Sequence, residues 1–243
     1  MKDVFYYLLD ATDPETGFKL SMAELWSEAV ALIVAGSDTT STSLAATFFY
    51  LTRPENAPAT AKLVAELKRT FSNVKDIRNG SKLNECVYLR ACLDEAMRLS
   101  PPLPGPLPRT VLPGGTIIDG HLIPAGTGVA VSVYALHQNP LYFPQPEKFL
   151  PERWLAPEIA EQQSAFMAFS TGTRVCLGKN MAYAEMCTVI ARAFWLFAFE
   201  AVGPSGGRGK VEFGGEGRDG FFELRDFLMA ENDGPVLRVS KRE

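Results

Sequence analysis

One cysteine of this chain lies in a loop whose residue types could hold it as a reactive thiolate. The segment 169–178 reads Phe-Ser-Thr-Gly-Thr-Arg-Val-Cys-Leu-Gly, with the thiol at Cys176. Gly172 lets the backbone turn where a side chain would clash, and Gly178 lets a large flat group approach the backbone closely. We expect a helix to begin near Leu177, where its dipole and unpaired N–H groups would favour a thiolate.

Three uses of this cysteine are open on the residues alone. A thiolate suits either a nucleophile or a soft metal ligand. Arg174, two residues earlier, is suited to an anionic group such as a carboxylate. A lone cysteine at a helix start can also be a small buried packing residue.

A second unusual stretch is polar where its surroundings are apolar. Ser21 and Glu24 form a capping-box pattern, which predicts a helix. Its apolar face is predicted to contain Trp26, Ala29, Val30, Ile33 and Val34. Directly after Gly36, seven polar residues at 37–43 break this pattern. Short polar side chains are poor helix-interior residues, so the segment is either a solvent-facing or kinked helix or a functional site.

Two further stretches have the periodicity of helices, at 58–71 and 83–99. The predicted core faces are Leu63, Leu67 and Phe71 in the first, and Leu89, Leu93, Ala96 and Met97 in the second. The predicted outward side chains of the first are Lys62, Glu66, Lys68 and Arg69. Glu95 and Arg98 lie three residues apart, and such a pair on a surface contributes about 0.2–0.5 kcal/mol.

The second half of the chain mixes short strands with one long apolar helix. β-branched residues predict strands at 116–118, 121–123 and 128–134, with a turn at Asp119-Gly120. An irregular connection is expected at 138–168, a helix that is apolar on nearly all sides at 177–197, and short strands at 210–213 and 236–239. The two histidines, His121 and His137, are interpreted as surface or internally satisfied residues.

Composition and charge place the chain among ordinary globular proteins. Its 243 residues are 47% hydrophobic and 21% charged, and the net charge of −4 indicates no nucleic acid partner. The four cysteines, Cys86, Cys92, Cys176 and Cys187, form no C-x-x-C pair, so we expect neither a disulfide framework nor a zinc site. We expect no membrane span and no signal peptide, because the apolar runs are too short.

Four motifs resemble those of one family, in the family's order. The segment 169–178 resembles the haem-binding signature Phe-x-x-Gly-x-Arg-x-Cys-x-Gly of the cytochrome P450 family at every fixed position. The segment 35–40, Ala-Gly-Ser-Asp-Thr-Thr, resembles the family's distal-helix motif. Residues 95–98 match Glu-x-x-Arg, and Pro-Glu-Arg-Trp at 151–154 is similar to the motif that partners it.

The resemblance implies a fold and a set of site residues. The fold is mainly α with small β-sheets (α+β), and residues 1–243 form part of one cytochrome P450 domain. Cys176 is then the axial thiolate ligand of haem iron, with Asp38 and Thr39 supporting proton delivery. The residues implied at the cofactor are Ala35, Gly36, Arg109, Phe169, Gly172, Arg174, Cys176 and Gly178. For Arg109 the implied partner is a haem propionate, and a plain surface arginine is the alternative.

The same resemblance assigns a structural role to three charged residues. Glu95, Arg98 and Arg153 are implied to form one buried network that holds the core beside the haem. A buried network of this kind matters for conformational specificity more than for stability.

The implied function is that of a haem-thiolate monooxygenase. It would use haem b to insert one oxygen atom from O2 into a small hydrophobic organic substrate, with electrons from NADPH supplied through NADPH-cytochrome P450 reductase. The motifs look most like those of filamentous-fungal secondary metabolism. A reductase-independent isomerase and a truncated, non-catalytic remnant are the alternatives, and the Asp38-Thr39 pair argues against the isomerase.

The resemblance covers only the carboxy-terminal half of a typical family member. The other half would carry a membrane anchor and much of the substrate pocket, so family members suggest the cytosolic face of the endoplasmic reticulum membrane. This chain itself shows no anchor and could be cytosolic. We therefore expect its helices to expose apolar surface and the chain alone to hold haem weakly.

Overall fold

The computed structural model describes residues 3–202 and 220–242. The described residues form eight α-helices and eight short strands. The helices are α1 (Val4–Asp10), α2 (Met22–Leu51), α3 (Ala57–Thr70), α4 (Ser81–Asn84), α5 (Val87–Leu99), α6 (Val133–His137), α7 (Ala160–Ala165) and α8 (Lys179–Leu196). The strands are β1 (Arg109–Thr110), β2 (Thr116–Ile118), β3 (His121–Ile123), β4 (Gly128–Val129), β5 (Phe197–Ala201), β6 (Arg225–Phe227), β7 (Met229–Glu231) and β8 (Leu237–Lys241).

The strands of the described segments pair as small antiparallel sheets around a helical body. β1 pairs with β4, β2 with β3, β5 with β8 and β6 with β7. The turn between β2 and β3 has positive φ at both Asp119 (48°) and Gly120 (76°), the conformation that Asp-Gly favours in tight hairpins. The prediction of a mainly α fold with small sheets is confirmed.

The core lies where the second half of α2 meets α3, α5 and α8. Leu63 of α3, Leu89 of α5 and Ile190 of α8 are each 0% exposed. The Phe48 and Phe194 rings stack with centroids 5.5 Å apart and join α2 to α8. The predicted core faces of the helices at 58–71 and 83–99 are confirmed.

Helix α2 is continuous through its polar run. Ser21 and Glu24 make both capping-box hydrogen bonds, as predicted. Further along, the hydroxyls of Thr39, Ser43 and Thr47 each donate to the carbonyl one turn earlier, at 2.7, 2.8 and 2.7 Å. These bonds satisfy polar side chains that would otherwise compete with the helix backbone.

The first half of α2 exposes the apolar face that its sequence predicts. Trp26 is 69% exposed, Val30 55% and Ile33 62%. The expectation of exposed apolar surface is confirmed for this helix. In the described ranges, no helix has both the length and the apolarity needed to cross a membrane.

Glu66 is the clearest error among the side chains predicted to face outward. It is only 7% exposed, and its carboxylate accepts hydrogen bonds from the backbone N–H groups of Tyr88 (3.0 Å) and Leu89 (2.9 Å). A carboxylate here complements the unpaired N–H groups and the dipole at the start of α5. Amphipathic spacing within α3 does not show this partner, which belongs to another helix.

Three predicted element boundaries were wrong. The helix expected at 83–99 is divided into α4 and α5, with Glu85 and Cys86 between them. The strand expected at 128–134 ends at Val129, because the Ser132 hydroxyl accepts from the N–H of Ala135 and caps α6. The last helix begins at Lys179 rather than Leu177.

Two further expectations concern the end of the chain and the exposure of α8. The strand predicted at 236–239 is β8, and the one predicted at 210–213 lies outside the described residues. A helix that is apolar on nearly all sides is expected to be buried rather than to lie on the surface. This expectation holds for one side of α8 only, since Met181 is 70% exposed.

Candidate active site

Cys176 lies in an exposed loop between a 3-10 turn at Gly172–Arg174 and helix α8. The loop is closed by a hydrogen bond of 2.9 Å from the Cys176 N–H to the Phe169 carbonyl. Gly172 has φ of +66°, the left-handed conformation that glycine adopts at little cost. The thiol is therefore held on a short, internally bonded loop and faces solvent.

The thiol lies just outside the first turn of α8. Gly178 is the residue preceding the helix, and the Lys179 N–H donates a hydrogen bond to the Cys176 carbonyl oxygen, with an N···O distance of 3.4 Å. A Cβ added at Gly178 would meet only the Cys176 Sγ, at 3.8 Å. Leu177 between them is fully exposed, so the surface beside the sulfur is open and apolar.

The acid and alcohol of α2 lie on an exposed part of that helix. Thr39 donates its hydroxyl proton to the Ala35 carbonyl at 2.7 Å, and the Ser37 hydroxyl donates to Asp38 Oδ1 at 3.0 Å. A Cβ added at Gly36 would meet nothing within 4 Å among the atoms described. The helix therefore leaves room beside these two polar side chains.

Asp38 also lines a cavity of about 640 Å³ between α2 and the β6–β7 hairpin. Thr42 and Asn232 join the two walls, because Asn232 Nδ2 donates to Thr42 Oγ1 at 3.0 Å. Ser41 and Glu231 add further polar groups to the lining. Solvent can therefore reach the Asp38 carboxylate through a polar cavity.

Arg109 lines a second cavity, of about 810 Å³, together with Ser170 and Thr171 of the cysteine loop. Its guanidinium is exposed and donates from Nη1 to the Pro108 carbonyl at 3.0 Å. The structure thus brings Arg109 to the same cavity as the cysteine loop. Arg174, on the 3-10 turn of that loop, is likewise exposed.

Glu95, which is 0% exposed, is the centre of a largely buried network. Its carboxylate accepts from Arg98 Nε and Nη2, both at 2.9 Å, from Arg153 Nε at 3.0 Å and from Trp154 Nε1 at 3.0 Å. The Leu150 N–H adds a fifth bond at 2.9 Å. The structure therefore brings together the three charged residues that the sequence motifs associate.

Arg98 extends this network toward the chain segments before the cysteine loop. It is 0% exposed and donates to the carbonyls of His137 (2.9 Å) and Lys148 (3.1 Å). Its guanidinium carbon lies 5.2 Å from the Phe143 ring centroid. The Glu95 carboxylate thus accepts five hydrogen bonds, and the Arg98 guanidinium donates to this carboxylate and to two carbonyls. Both buried charges are therefore well satisfied.

His137 is a contributor that spacing alone does not indicate. Its Nδ1 lies 3.2 Å from the Arg98 carbonyl, and its Nε2 accepts from the Met167 N–H at 2.8 Å. Burial, followed by the positive charge of Arg98, lowers the pKa of His137 to about 3. The neutral imidazole thus links the Glu95 network to the segment that leads into the cysteine loop. His121, by contrast, is exposed.

Comparison with known proteins decides the family. A family model described as Cytochrome P450 matches residues 1–207, which is most of the chain. The chain belongs to the cytochrome P450 family.

Several similar curated proteins are fungal cytochrome P450 monooxygenases. A cytochrome P450 monooxygenase of Gibberella zeae is 43% identical, and the match covers 99% of this chain and 56% of the relative. Cytochrome P450 monooxygenase apf7 of Gibberella fujikuroi is 44% identical over 99% of this chain and 46% of its own length. Cytochrome P450 monooxygenase lcsN of Purpureocillium lilacinum is 40% identical over 99% of this chain and 72% of its own length. The chain spans about half the length of the first two.

Membership of the cytochrome P450 family implies haem, and the residues around Cys176 fit that group. A single soft thiolate donor is the axial ligand that haem iron takes in this family. The sulfur is exposed, and the glycine beside it leaves space where a Cβ would meet nothing but that sulfur. Arg109 and Arg174 are exposed cations on or beside the same loop, suited to carboxylates.

Proposed function

We propose that this chain is the haem-thiolate part of a monooxygenase that inserts one oxygen atom from O2 into a small hydrophobic organic substrate. Residues 1–243 would form part of one cytochrome P450 domain, acting in fungal secondary metabolism. The observation that carries the proposal is the exposed thiol of Cys176 on a closed loop. His137 joins the segment before this loop to the buried Glu95 network. The names of the fungal relatives, all monooxygenases, support the reaction class.

In this proposal the residues of the cysteine loop bind and orient the cofactor. Cys176 would hold the haem iron through its sulfur, and Gly172 and Gly178 would keep the surroundings of that sulfur open. Phe169 covers the loop from the protein side, with its ring centroid 4.8 Å from that of Tyr183. Arg109 and Arg174 would pair with the carboxylates of haem b. When bound, the haem supplies the oxidative chemistry, and the thiolate favours cleavage of the O–O bond.

Asp38 and Thr39 of α2 would deliver protons for the reaction. Asp38 can exchange protons with solvent through the cavity that it lines. The Thr39 hydroxyl donates to Ala35, and its oxygen can still accept a hydrogen bond from water. A carboxylic acid and an adjacent hydroxyl can pass a proton from solvent toward a buried oxygen atom. Gly36, where an added Cβ would meet nothing within 4 Å, and its small neighbour Ala35 would leave room for such an oxygen.

The remaining parts of the proposal concern partners and place. Electrons would come from NADPH through NADPH-cytochrome P450 reductase, and the whole protein would act at the cytosolic face of the endoplasmic reticulum membrane. These inferences rest on family membership. A product formed without NADPH and reductase would favour an isomerase instead.

The ligand assignment is tested by removing one thiol at a time from the haem-loaded protein. Cys176→Ala should abolish the thiolate-type band in the reduced carbon monoxide difference spectrum. Cys187→Ala is the matched control, because burial raises the pKa of that half-buried thiol to about 12 and keeps it protonated. Loss of the band in the control alone, or its retention in Cys176→Ala, would overturn the assignment. A protein that binds no haem in any form would favour a non-catalytic remnant.

A further inference from the structure

Three polar side chains, those of Arg90, Asp94 and Tyr183, join α5 to α8. The Tyr183 hydroxyl donates to Asp94 Oδ1 at 2.6 Å. Arg90 donates from Nε to both oxygens of Asp94, at 3.2 and 3.1 Å. The Arg90 guanidinium carbon also lies 3.1 Å from the centroid of the Tyr183 ring. The tyrosine is therefore held at its hydroxyl and on one face of its ring.

The same tyrosine contacts the residue that anchors the cysteine. The Tyr183 and Phe169 ring centroids are 4.8 Å apart, and the rings are tilted by 41°. The Phe169 carbonyl accepts the Cys176 N–H at 2.9 Å. Lys179, at the start of α8, lies with its Nζ 5.7 Å from the Phe169 ring centroid. Movement of the Phe169 ring would thus be transmitted through its backbone to Cys176.

We propose that Asp94 and Tyr183 are positioning residues for Cys176, acting through Phe169. The contact chain runs from the Asp94 carboxylate to the Tyr183 hydroxyl, from the Tyr183 ring to the Phe169 ring, and from the Phe169 carbonyl to the Cys176 N–H. This inference rests on the proposed function only in taking Cys176 as the haem ligand.

The arrangement exceeds what packing alone requires. Tyr183 is 6% exposed, so a phenylalanine would fill the same space without a buried hydroxyl that needs a partner. Burial raises the pKa of Tyr183, and the Asp94 charge raises it further, so the hydroxyl stays protonated and can only donate to that carboxylate. A hydrogen bond to a charged acceptor is stronger than a neutral one, and it holds the hydroxyl end of the tyrosine ring in place.

Tyr183→Phe tests this inference because it removes the hydroxyl and keeps the ring against Phe169. The matched control is Tyr88→Phe, since Tyr88 is also buried and donates its hydroxyl to a carboxylate, Glu152 Oε1, at 2.8 Å. Both variants lose one charged hydrogen bond, and only the first touches the cysteine loop. A third variant, Tyr183→Ala, removes the ring contact as well.

The first measurement is hydrogen–deuterium exchange of the segment 169–178 in the purified full chain. We expect the Cys176 amide to exchange about tenfold faster in Tyr183→Phe, the factor that the loss of about 1.4 kcal/mol produces, and faster still in Tyr183→Ala. Tyr88→Phe should leave exchange in this segment unchanged. Equal exchange in Tyr183→Phe, Tyr88→Phe and the wild type would overturn the inference.

The second measurement is the reduced carbon monoxide spectrum of the haem-loaded protein. A smaller fraction of the thiolate-type band in Tyr183→Phe, with the full band in Tyr88→Phe, is the expected result. An unaltered band in both, together with unaltered exchange, would contradict a positioning role while leaving Cys176 as the ligand. If the wild type shows no thiolate-type band, the proposed function fails, and the exchange measurement still decides whether Tyr183 positions the loop.

Discussion

Glu95 on α5 and Cys176 just before α8 occupy opposite environments. Glu95 is 0% exposed and accepts five hydrogen bonds from this chain's own residues. Cys176 is exposed, and its Sγ has no hydrogen-bond partner among the described residues. The polar groups around Glu95 are therefore satisfied within the chain, whereas the surface at Cys176 is open to a group from outside.

The largest effect should come from removing the charge at the centre of the scaffold. Glu95→Gln leaves Arg98 and Arg153 without their buried counter-charge, which we expect to lower the free energy of unfolding by about 3–5 kcal/mol. Urea unfolding, followed by circular dichroism, measures this loss.

Glu158→Gln is the control for that substitution, since Glu158 is exposed. It should change the free energy of unfolding by no more than about 0.5 kcal/mol. Equal effects of the two substitutions would show that the buried network does not stabilise the scaffold.

An intermediate effect should come from His137, which joins the scaffold to the segment before the cysteine loop. Its pKa is about 3 in the folded state against an ordinary value of 6.5. Between these two values the unfolded chain binds a proton that the folded chain does not, so stability falls as the pH falls. The wild type should lose about 1.4 kcal/mol more per pH unit across this window than His137→Gln does.

Denaturant unfolding at several pH values between about 7 and 4 measures this difference. His121→Gln is the matched control, because His121 is exposed, and it should keep the wild-type pH dependence. A His137→Gln profile parallel to the wild type would mean that His137 is not held neutral in the folded chain.

The sequence predicts well those structures that follow from a local residue pattern or from a complete motif. The capping box at Ser21 and the Asp119-Gly120 turn depend on contacts within a few residues, and both are present. The core faces of α3 and α5 follow from the helical spacing of their apolar residues, and these are buried as predicted. The motifs also indicated that Glu95, Arg98 and Arg153 belong together, although their contact spans more than one element.

The spacing of residues in the sequence could not predict the contacts that single polar side chains make with distant parts of the chain. Glu66 bonds to N–H groups 22 and 23 residues away, and His137 accepts from an N–H 30 residues away. Tyr183 reaches Asp94 across 89 residues. Each of these polar residues lies in an ordinary local pattern, and only the folded chain shows its partner.

The smallest effect on stability should come from the exposed apolar face of the first half of α2. Trp26 is 69% exposed on the first half of α2, so Trp26→Ser removes little buried apolar area. We expect a change of no more than about 0.5 kcal/mol in the free energy of unfolding, although tryptophan is the largest side chain. Leu63→Ala is the contrasting change, because Leu63 is 0% exposed and its truncation should cost about 2–5 kcal/mol.

Urea unfolding of the purified chain measures both substitutions under one condition. If Trp26→Ser lowers the free energy of unfolding nearly as much as Leu63→Ala does, α2 buries its apolar face in solution. The first half of α2 would then not be an open surface like that of the cysteine loop. A small loss in the Trp26→Ser variant would mean that the first half of α2, like the cysteine loop, carries exposed apolar groups. These groups would add little to the free energy of unfolding of this chain. Hydrophobic surface that does not stabilise the chain bearing it is typical of surface that contacts another group.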